Sequence, residues 1–274
     1  MRVPVCKSVL GFAVALALVG CSGPQARTAS TPAIAEVVAE FESGERGDAG
    51  DITGPLSFVM TTGEGEVEVR LAEIDAPEPA LATAWLEANV AGAQVRLAYD
   101  GERRDRYDRA LAHAFIVNAD SENWVQAELV SAGLARVLTH PDNRAAAGAL
   151  LALEDEARRA ARGLWGDRRY RVRDTDPDVL AQDIGSVQLV EGRVLEVTQL
   201  RSGRTYLNFG SDYRSDFTIL VEARDREAFE AILPDGAGLA GLATRRIRVR
   251  GWLQDENGPM IKIDHPERIE LLED

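Results

Sequence analysis

The stretch "VRLAEIDAPEP", Val69 to Pro79, sets Arg70, Asp75 and Glu78 close together at the end of an apolar-alternating run. A guanidinium beside two carboxylates is the raw material of a phosphate-and-metal site. The same letters also describe a strand handing over to a helix. Asp75-Ala76-Pro77-Glu78 fits a capping box: a short acceptor at the N-cap, proline in the first turn and a glutamate three residues on, ahead of the helical "ALATAWLEANV". Arg70, on the polar face of a strand whose Val67, Val69 and Leu71 face inward, could pair with Glu66 or Glu68. Strict alternation puts positions 70 and 75 on opposite faces, so the strand must shift phase between them, and Glu73 and Ile74 leave room for a bulge.

The elements around this stretch read as strands at "LSFVM" from Leu56, "EVEVRLAEI" from Glu66, "AQVRLAYD" from Ala93 and "RALAHAFIV" from Arg109. Helical spacing occupies "PALATAWLEANVAG", "SENWVQAELVSAGLARVL" and "NRAAAGALLALEDEARRAARGLW". Short strands wrapped with a few helices make the element set of an oligonucleotide-binding barrel with helical additions. Beyond "DRRYRVRDTDPDVLAQDIGS" the chain is again strands with one helix, which predicts a second small barrel. The fold class is therefore α+β, mainly β. The expected organisation is a signal at 1–21, a flexible tether at 22–51, the first barrel at 52–166, a linker at 167–185 and the second barrel at 186–274.

Composition bounds the chemistry. The 274 residues carry 31 Lys and Arg against 45 Asp and Glu, a formal charge of −14, which argues against a protein that coats nucleic acid non-specifically. A local cleft can still be basic, and "ARRAARGLWGDRRYRVR" is the richest positive stretch, reading first as a solvated helix end. The start, "MRVPVCKSVLGFAVALALVGCSG", has Arg2 and Lys7, an apolar run and small residues before Cys21, the pattern of a secretory signal. The other cysteine, Cys6, lies within that segment, so no disulfide framework or thiolate metal site is available. Three histidines, His113, His140 and His265, lack the spacing of a zinc pair, and any metal is expected to be a hard one held by oxygen.

Leu18-Val19-Gly20-Cys21 resembles a bacterial lipobox, which implies that Cys21 is lipidated and anchors the mature chain to the membrane. Ser22 is not the aspartate that typically retains such proteins at the inner membrane, so the implied location is the outer membrane, facing the periplasm.

From Leu56 to Trp165 the chain resembles the thermonuclease family of staphylococcal-nuclease-like domains. The blocks that carry the likeness, in order, are the Arg70-Leu71 strand leading to Ile74-Asp75-Ala76-Pro77-Glu78, then "DRYDRALA", then Val117-Asn118 and Gly133-Leu134-Ala135, then a helix closing on Leu164-Trp165. The resemblance implies a calcium-dependent phosphodiesterase acting on DNA or RNA. Arg70 and Arg109 match the two arginines that grip the phosphate, where forked donors meet the extra negative charge of the transition state. Asp75 matches a calcium ligand, and Glu78 the glutamate that positions or deprotonates the attacking water. Two departures bear on activity. Pro55 stands where a second metal-binding aspartate belongs, unless Asp48 or Asp51 folds in, and Asp108 replaces the glycine before Arg109, which it could neutralise. The alternative is a barrel that binds nucleic acid or protein without cutting it.

The C-terminal stretch is loosely similar to an oligonucleotide-binding-like barrel. Tyr206, Phe209 and Arg204 are its candidates for holding a nucleic-acid strand, by aromatic faces and positive charge. Phe209 and Phe217 read equally well as core. Trp252 and His265 read as packing or rim residues.

Overall fold

The computed structural model describes residues 31–231 and 236–273, so the signal segment, Cys21 and the first part of the expected tether lie outside the described residues. The rest of that tether is ordered, which corrects the boundary at residue 51. A helix, α1 (Thr31–Ala39), is followed by a 13-residue strand, β1 (Glu42–Gly54). β1 pairs antiparallel with β2 (Ser57–Thr62) on one side and with β5 (Gln94–Tyr99) on the other. Its sequence, "ESGERGDAGDITG", buries only Ala49 fully, so two backbone ladders rather than an apolar face hold it. Glycine makes that possible: a Cβ at Gly47 would come 2.1 Å from the Thr61 carbonyl oxygen.

Further along, β3 (Gly65–Leu71) pairs with β2 and also, in parallel, with β6 (Ala110–Val117). Since β5 pairs with β6, the strands β1, β2, β3, β6 and β5 close into a five-strand ring, the expected barrel, with β7 (Glu122–Trp124) added beside β6. Closure removes the open edges that would otherwise invite further pairing. Phe58, Met60, Val69, Leu71, Leu97 and Ala112 fill the barrel. Outside it, α2 (Pro79–Asn89) buries Ala82 and Leu86, α3 (Val125–Ser131) buries Leu129 and Val130, and α4 (Ala147–Arg159) buries Leu150. Buried Gln126 fastens α3 to β6, donating to the Ala112 carbonyl at 2.9 Å and accepting from the Ala114 N–H at 3.2 Å.

The second unit repeats the plan. After a helical turn, α5 (Pro177–Leu180), strand β9 (Ser186–Arg193) runs on into β10 (Glu196–Gln199). β10 pairs with β11 (Thr205–Asn208), β11 with β12 (Thr218–Val221), and β12 in parallel with β14 (Pro259–Ile263). β14 pairs with β13 (Arg246–Asp255), and β13 returns to β9 and also carries β15 (Ile269–Leu271). The strand order and the single parallel pairing match those of the first ring, around a core that includes Leu207, Phe217, Ile219, Val249 and Ile261.

Charge joins the two units. Arg250, on β13 and fully buried, donates to both carboxylate oxygens of Glu154 on α4 (3.1 and 2.8 Å), to the Val137 carbonyl at 2.9 Å and to Glu270 at 2.5 Å. Buried His265 lies 2.7 Å from the Thr139 hydroxyl, and Arg144 meets Glu267 at 2.8 Å. Removing one member of a buried, hydrogen-bonded ion set strands the others without a partner. Arg250→Ala should therefore lower unfolding stability by about 3–5 kcal/mol, whereas removing exposed Arg201 should change it by less than about 0.5 kcal/mol. Chemical denaturation of the two variants measures the contrast.

Candidate phosphate site and a buried carboxylate-histidine cluster

Strand β3 ends at Leu71, and Glu73 then takes a left-handed backbone, with φ of +63°, before a two-residue strand, β4 (Ile74–Asp75). This is the expected phase shift, achieved by one strained residue rather than by an added one. β4 pairs with β8 (Arg136–Val137), and that pairing sets the fate of Asp75. Its Oδ2 accepts from Nε and Nη2 of Arg136, both at 3.0 Å. The expected capping box does not form, because α2 starts at Pro79 with Glu78 as N-cap and no side-chain cap bond. The Asp75 carboxylate is held by the guanidinium of β8 rather than by a helix N–H. Glu78 instead accepts a hydrogen bond from the Tyr170 hydroxyl at 3.0 Å, with Arg169 at 3.7 Å.

Arg70 does not pair with Glu66 or Glu68. It turns toward the β1–β2 turn and donates to the Leu56 carbonyl at 3.4 Å. Burial lowers its pKa, the charge of Arg109 lowers it further, and Asp75 and Asp105 act in the opposite direction. Arg70, Arg109 and Asp75 therefore share one electrostatic neighbourhood, with Glu78 three residues beyond Asp75. Arg109, just before β6, has its counter-ion in Asp105 rather than in Asp108, which corrects the expected neutralisation. Nε and Nη2 of Arg109 lie 2.8 and 2.7 Å from Asp105 Oδ2, while Oδ1 of the same aspartate accepts the N–H groups of Tyr107 and Arg109. Asp108 supplies the left-handed residue of this turn, with φ of +64°. Tyr107 stands exposed beside it, with the Arg106 and Arg109 guanidiniums 4.7 and 5.3 Å from its ring centre.

Calcium fits this donor set poorly. A hard cation of that size takes six to eight oxygens and gains affinity with each carboxylate. Asp75 brings one, already paired to Arg136, and the turn against Arg70 brings Pro55 and buried Leu56. Asp48 lies opposite Thr61 and Gln94 within the ladder and Asp51 is exposed. Among the described residues neither joins Asp75 in a group of three or more metal-type ligands.

The group that does form lies elsewhere. Glu73, Asp100 and His113 bring one ligand atom each to within 4.8 Å of one another. His113 Nε2 is 3.6 Å from Glu73 Oε1 and 3.4 Å from Asp100 Oδ1, with all three side chains at most 1% exposed. Burial pushes the Glu73 carboxyl up to about 7, against the opposing pull of His113. For Asp100, burial is outweighed by His113 and the surrounding hydrogen bonds, which hold its pKa low. The His113 pKa is raised, because its two carboxylates overcome burial. Phe41 stacks on the imidazole at 4.5 Å, and Trp124 meets it edge-on at 5.4 Å. Sequence spacing could not assemble this cluster, since its members come from a bend after β3, the end of β5 and the middle of β6. The available signal was a single polar residue, His113, inside the apolar run "ALAHAF".

In the second unit Arg204 and Tyr206 lie side by side, while Phe209 turns toward the core. Tyr206 lines a cavity of about 590 Å³ with Leu195, Leu200 and Tyr213. Phe209 packs on buried Phe217 at 5.0 Å, and Arg204 is paired to Glu222 at 2.9 Å. Trp252 is exposed, whereas His265 is core.

The Asp108 turn gives a stability test. Asp108→Gly should leave stability unchanged or raise it by up to about 1 kcal/mol. Asp108→Val should lower it by about 1–2 kcal/mol, because a β-branched residue resists the left-handed region. Denaturant midpoints would show the ordering, and equal midpoints would contradict it.

Compared with known proteins, residues 68–167 match the family model described as staphylococcal nuclease homologue. No curated protein matches the chain. The matched segment runs from β3 through α4 to just past Trp165 and contains Arg70, Asp75, Glu78 and Arg109, so this chain carries a staphylococcal-nuclease-like domain at residues 68–167.

Proposed function

We propose that the nuclease-like domain binds a nucleic-acid strand by its phosphates, gripped between Arg70 and Arg109, and does so without a calcium ion at Asp75. The observation that carries this reading is the pairing of β3 with β6, which sets Arg70 opposite Leu111 and Arg109 two residues before it; there burial and then the Arg109 charge lower the pKa of Arg70, a repulsion that an incoming phosphate would relieve. Asp105 holds Arg109 in place meanwhile, and the Leu56 carbonyl accepts from Arg70. Exposed Tyr107, with two arginines over its ring, offers a face on which a base can stack. The contacts belong to the first barrel, because in the second Arg204 is already paired and Phe209 faces the core.

Hydrolysis is the second reading, favoured by Glu78, whose carboxylate is one-third exposed and oriented by the Tyr170 hydroxyl. From there it could accept a proton from a water attacking a phosphate held by Arg70. In the family, a divalent ion would add charge neutralisation at the phosphate. At Asp75 the donors for it are too few, and no step here is assigned to it. Anchoring at the outer membrane through Cys21 is part of the proposal and rests on the Leu18-Val19-Gly20-Cys21 pattern.

The direct test is a single-stranded DNA assay with the mature soluble chain, with calcium or chelator, run with Glu78→Gln and Arg109→Ala in parallel. The expected result is binding that Arg109→Ala weakens at least several-fold, with no cutting in either condition. Calcium-dependent cutting lost in Glu78→Gln would overturn the binding-only reading. A second variant, Asp105→Asn, frees Arg109 of its counter-ion. It should tighten strand binding, measured by fluorescence anisotropy, in a way that added salt erases.

A further inference from the structure

We propose that Glu73, Asp100 and His113 form a buried site for a zinc-class divalent ion, separate from the phosphate site. Three observations lead there. The first is distance. At 3.4 and 3.6 Å the imidazole Nε2 makes no hydrogen bond to either carboxylate, yet all three side chains converge. Bonds of 2.0–2.2 Å to a tetrahedral ion place neighbouring ligand atoms about 3.3–3.6 Å apart, which is the spacing found from the imidazole to each carboxylate, with all three ligand atoms within 4.8 Å of one another.

The second is satisfaction. Both ring nitrogens of His113 and Oε2 of Glu73 are buried without a partner. Buried polar atoms are rarely left so, because each forfeits the solvation it would have in water. A cation would take the lone pair of Nε2 and one or both oxygens of Glu73.

The third is charge. With both carboxylates ionised, two negative charges face one imidazole in a place with no solvent to screen them, an excess of negative charge. A divalent ion with neutral histidine balances it. One nitrogen and two carboxylate oxygens suit zinc, cobalt, manganese or ferrous ion better than a soft metal.

The outer shell of the two carboxylates is also in place. Glu73 Oε1 accepts the Ala146 N–H at 3.0 Å, while Asp100 accepts from Asn143 at 3.3 Å and from the Ala145 N–H at 3.0 Å. Such bonds fix ligating carboxylates in orientation. They also tie the site to the segment entering α4, so a bound ion would clamp the β3–β4 bend, the end of β5, the middle of β6 and the start of α4. That arrangement is a structural site, buried beneath the ring of Phe41 and loaded as the chain folds.

The test unfolds the mature chain in denaturant with chelator and refolds it with excess Co²⁺. Free ion is then removed before metal content and the visible spectrum are measured. The expected result is one ion per chain with the intense bands of a four-coordinate site. His113→Gln should lose both, while Asp75→Asn keeps them. Should His113→Gln fail to fold, Glu73→Gln gives the same readout. A folded parent holding less than a tenth of an equivalent overturns the proposal. So does an ion whose spectrum is unchanged in His113→Gln or Glu73→Gln, or one that is lost in Asp75→Asn.

Discussion

Arg250 is the interaction on which the geometry of both units depends. A fully buried guanidinium is tolerated only because Glu154, Glu270 and the Val137 carbonyl all receive its protons. Glu154 in turn accepts the Val137 N–H at 2.7 Å, so one residue of β8 is gripped from both sides. β8 is the strand that pairs with Ile74 and Asp75, and its neighbour Arg136 is the counter-ion of Asp75. Beside it, the Leu138 N–H bonds the Glu73 carbonyl at 2.7 Å. The second barrel thus reaches the candidate site through one arginine and a two-residue strand. Its role, on this account, is to fix the bend that carries Glu73 and Asp75 rather than to present a nucleic-acid face of its own.

Within the site, each of the four residues singled out by the nuclease resemblance has an internal partner: Arg70 the Leu56 carbonyl, Asp75 Arg136, Glu78 Tyr170 and Arg109 Asp105. Their partners differ in what a ligand could displace. Burial and then the Arg109 charge disfavour the charge on Arg70, so a phosphate between the two arginines is rewarded. Asp75 would have to release a well-placed guanidinium to take a cation, with Pro55 and Leu56 offering no carboxylate in return. On the proposed reading the chain keeps the positive charge of the site while its one metal-type carboxylate, Asp75, is tied to Arg136.

Much of this was legible in the sequence, and the exceptions share a cause. Strands with alternating apolar residues, such as those holding Phe58, Val69 and Leu97, were visible because a core selects such a pattern. β1 was invisible because backbone pairing and close approach at Gly47 hold it in place of an apolar face. The capping box around Asp75 was a correct local motif overridden by a distant arginine on β8, which no local rule contains. Likewise Asp105, four residues before Arg109, is its ion-pair partner rather than adjacent Asp108, which takes the left-handed position of the turn. The Glu73, Asp100 and His113 cluster depends on how strands far apart in sequence are brought together, and pairing order is what spacing in one chain cannot reveal.

The most direct measurement of the central claim is the salt dependence of oligonucleotide binding in the presence of chelator, for the parent and for the double variant Arg70→Ala with Arg109→Ala. Each phosphate neutralised contributes about 0.7 to the slope of log affinity against log salt for a single strand. The account predicts that the double variant loses about 1.4 of the parent slope together with most of its affinity, all without calcium. An unchanged slope, or a parent that binds only when calcium is supplied, would contradict it.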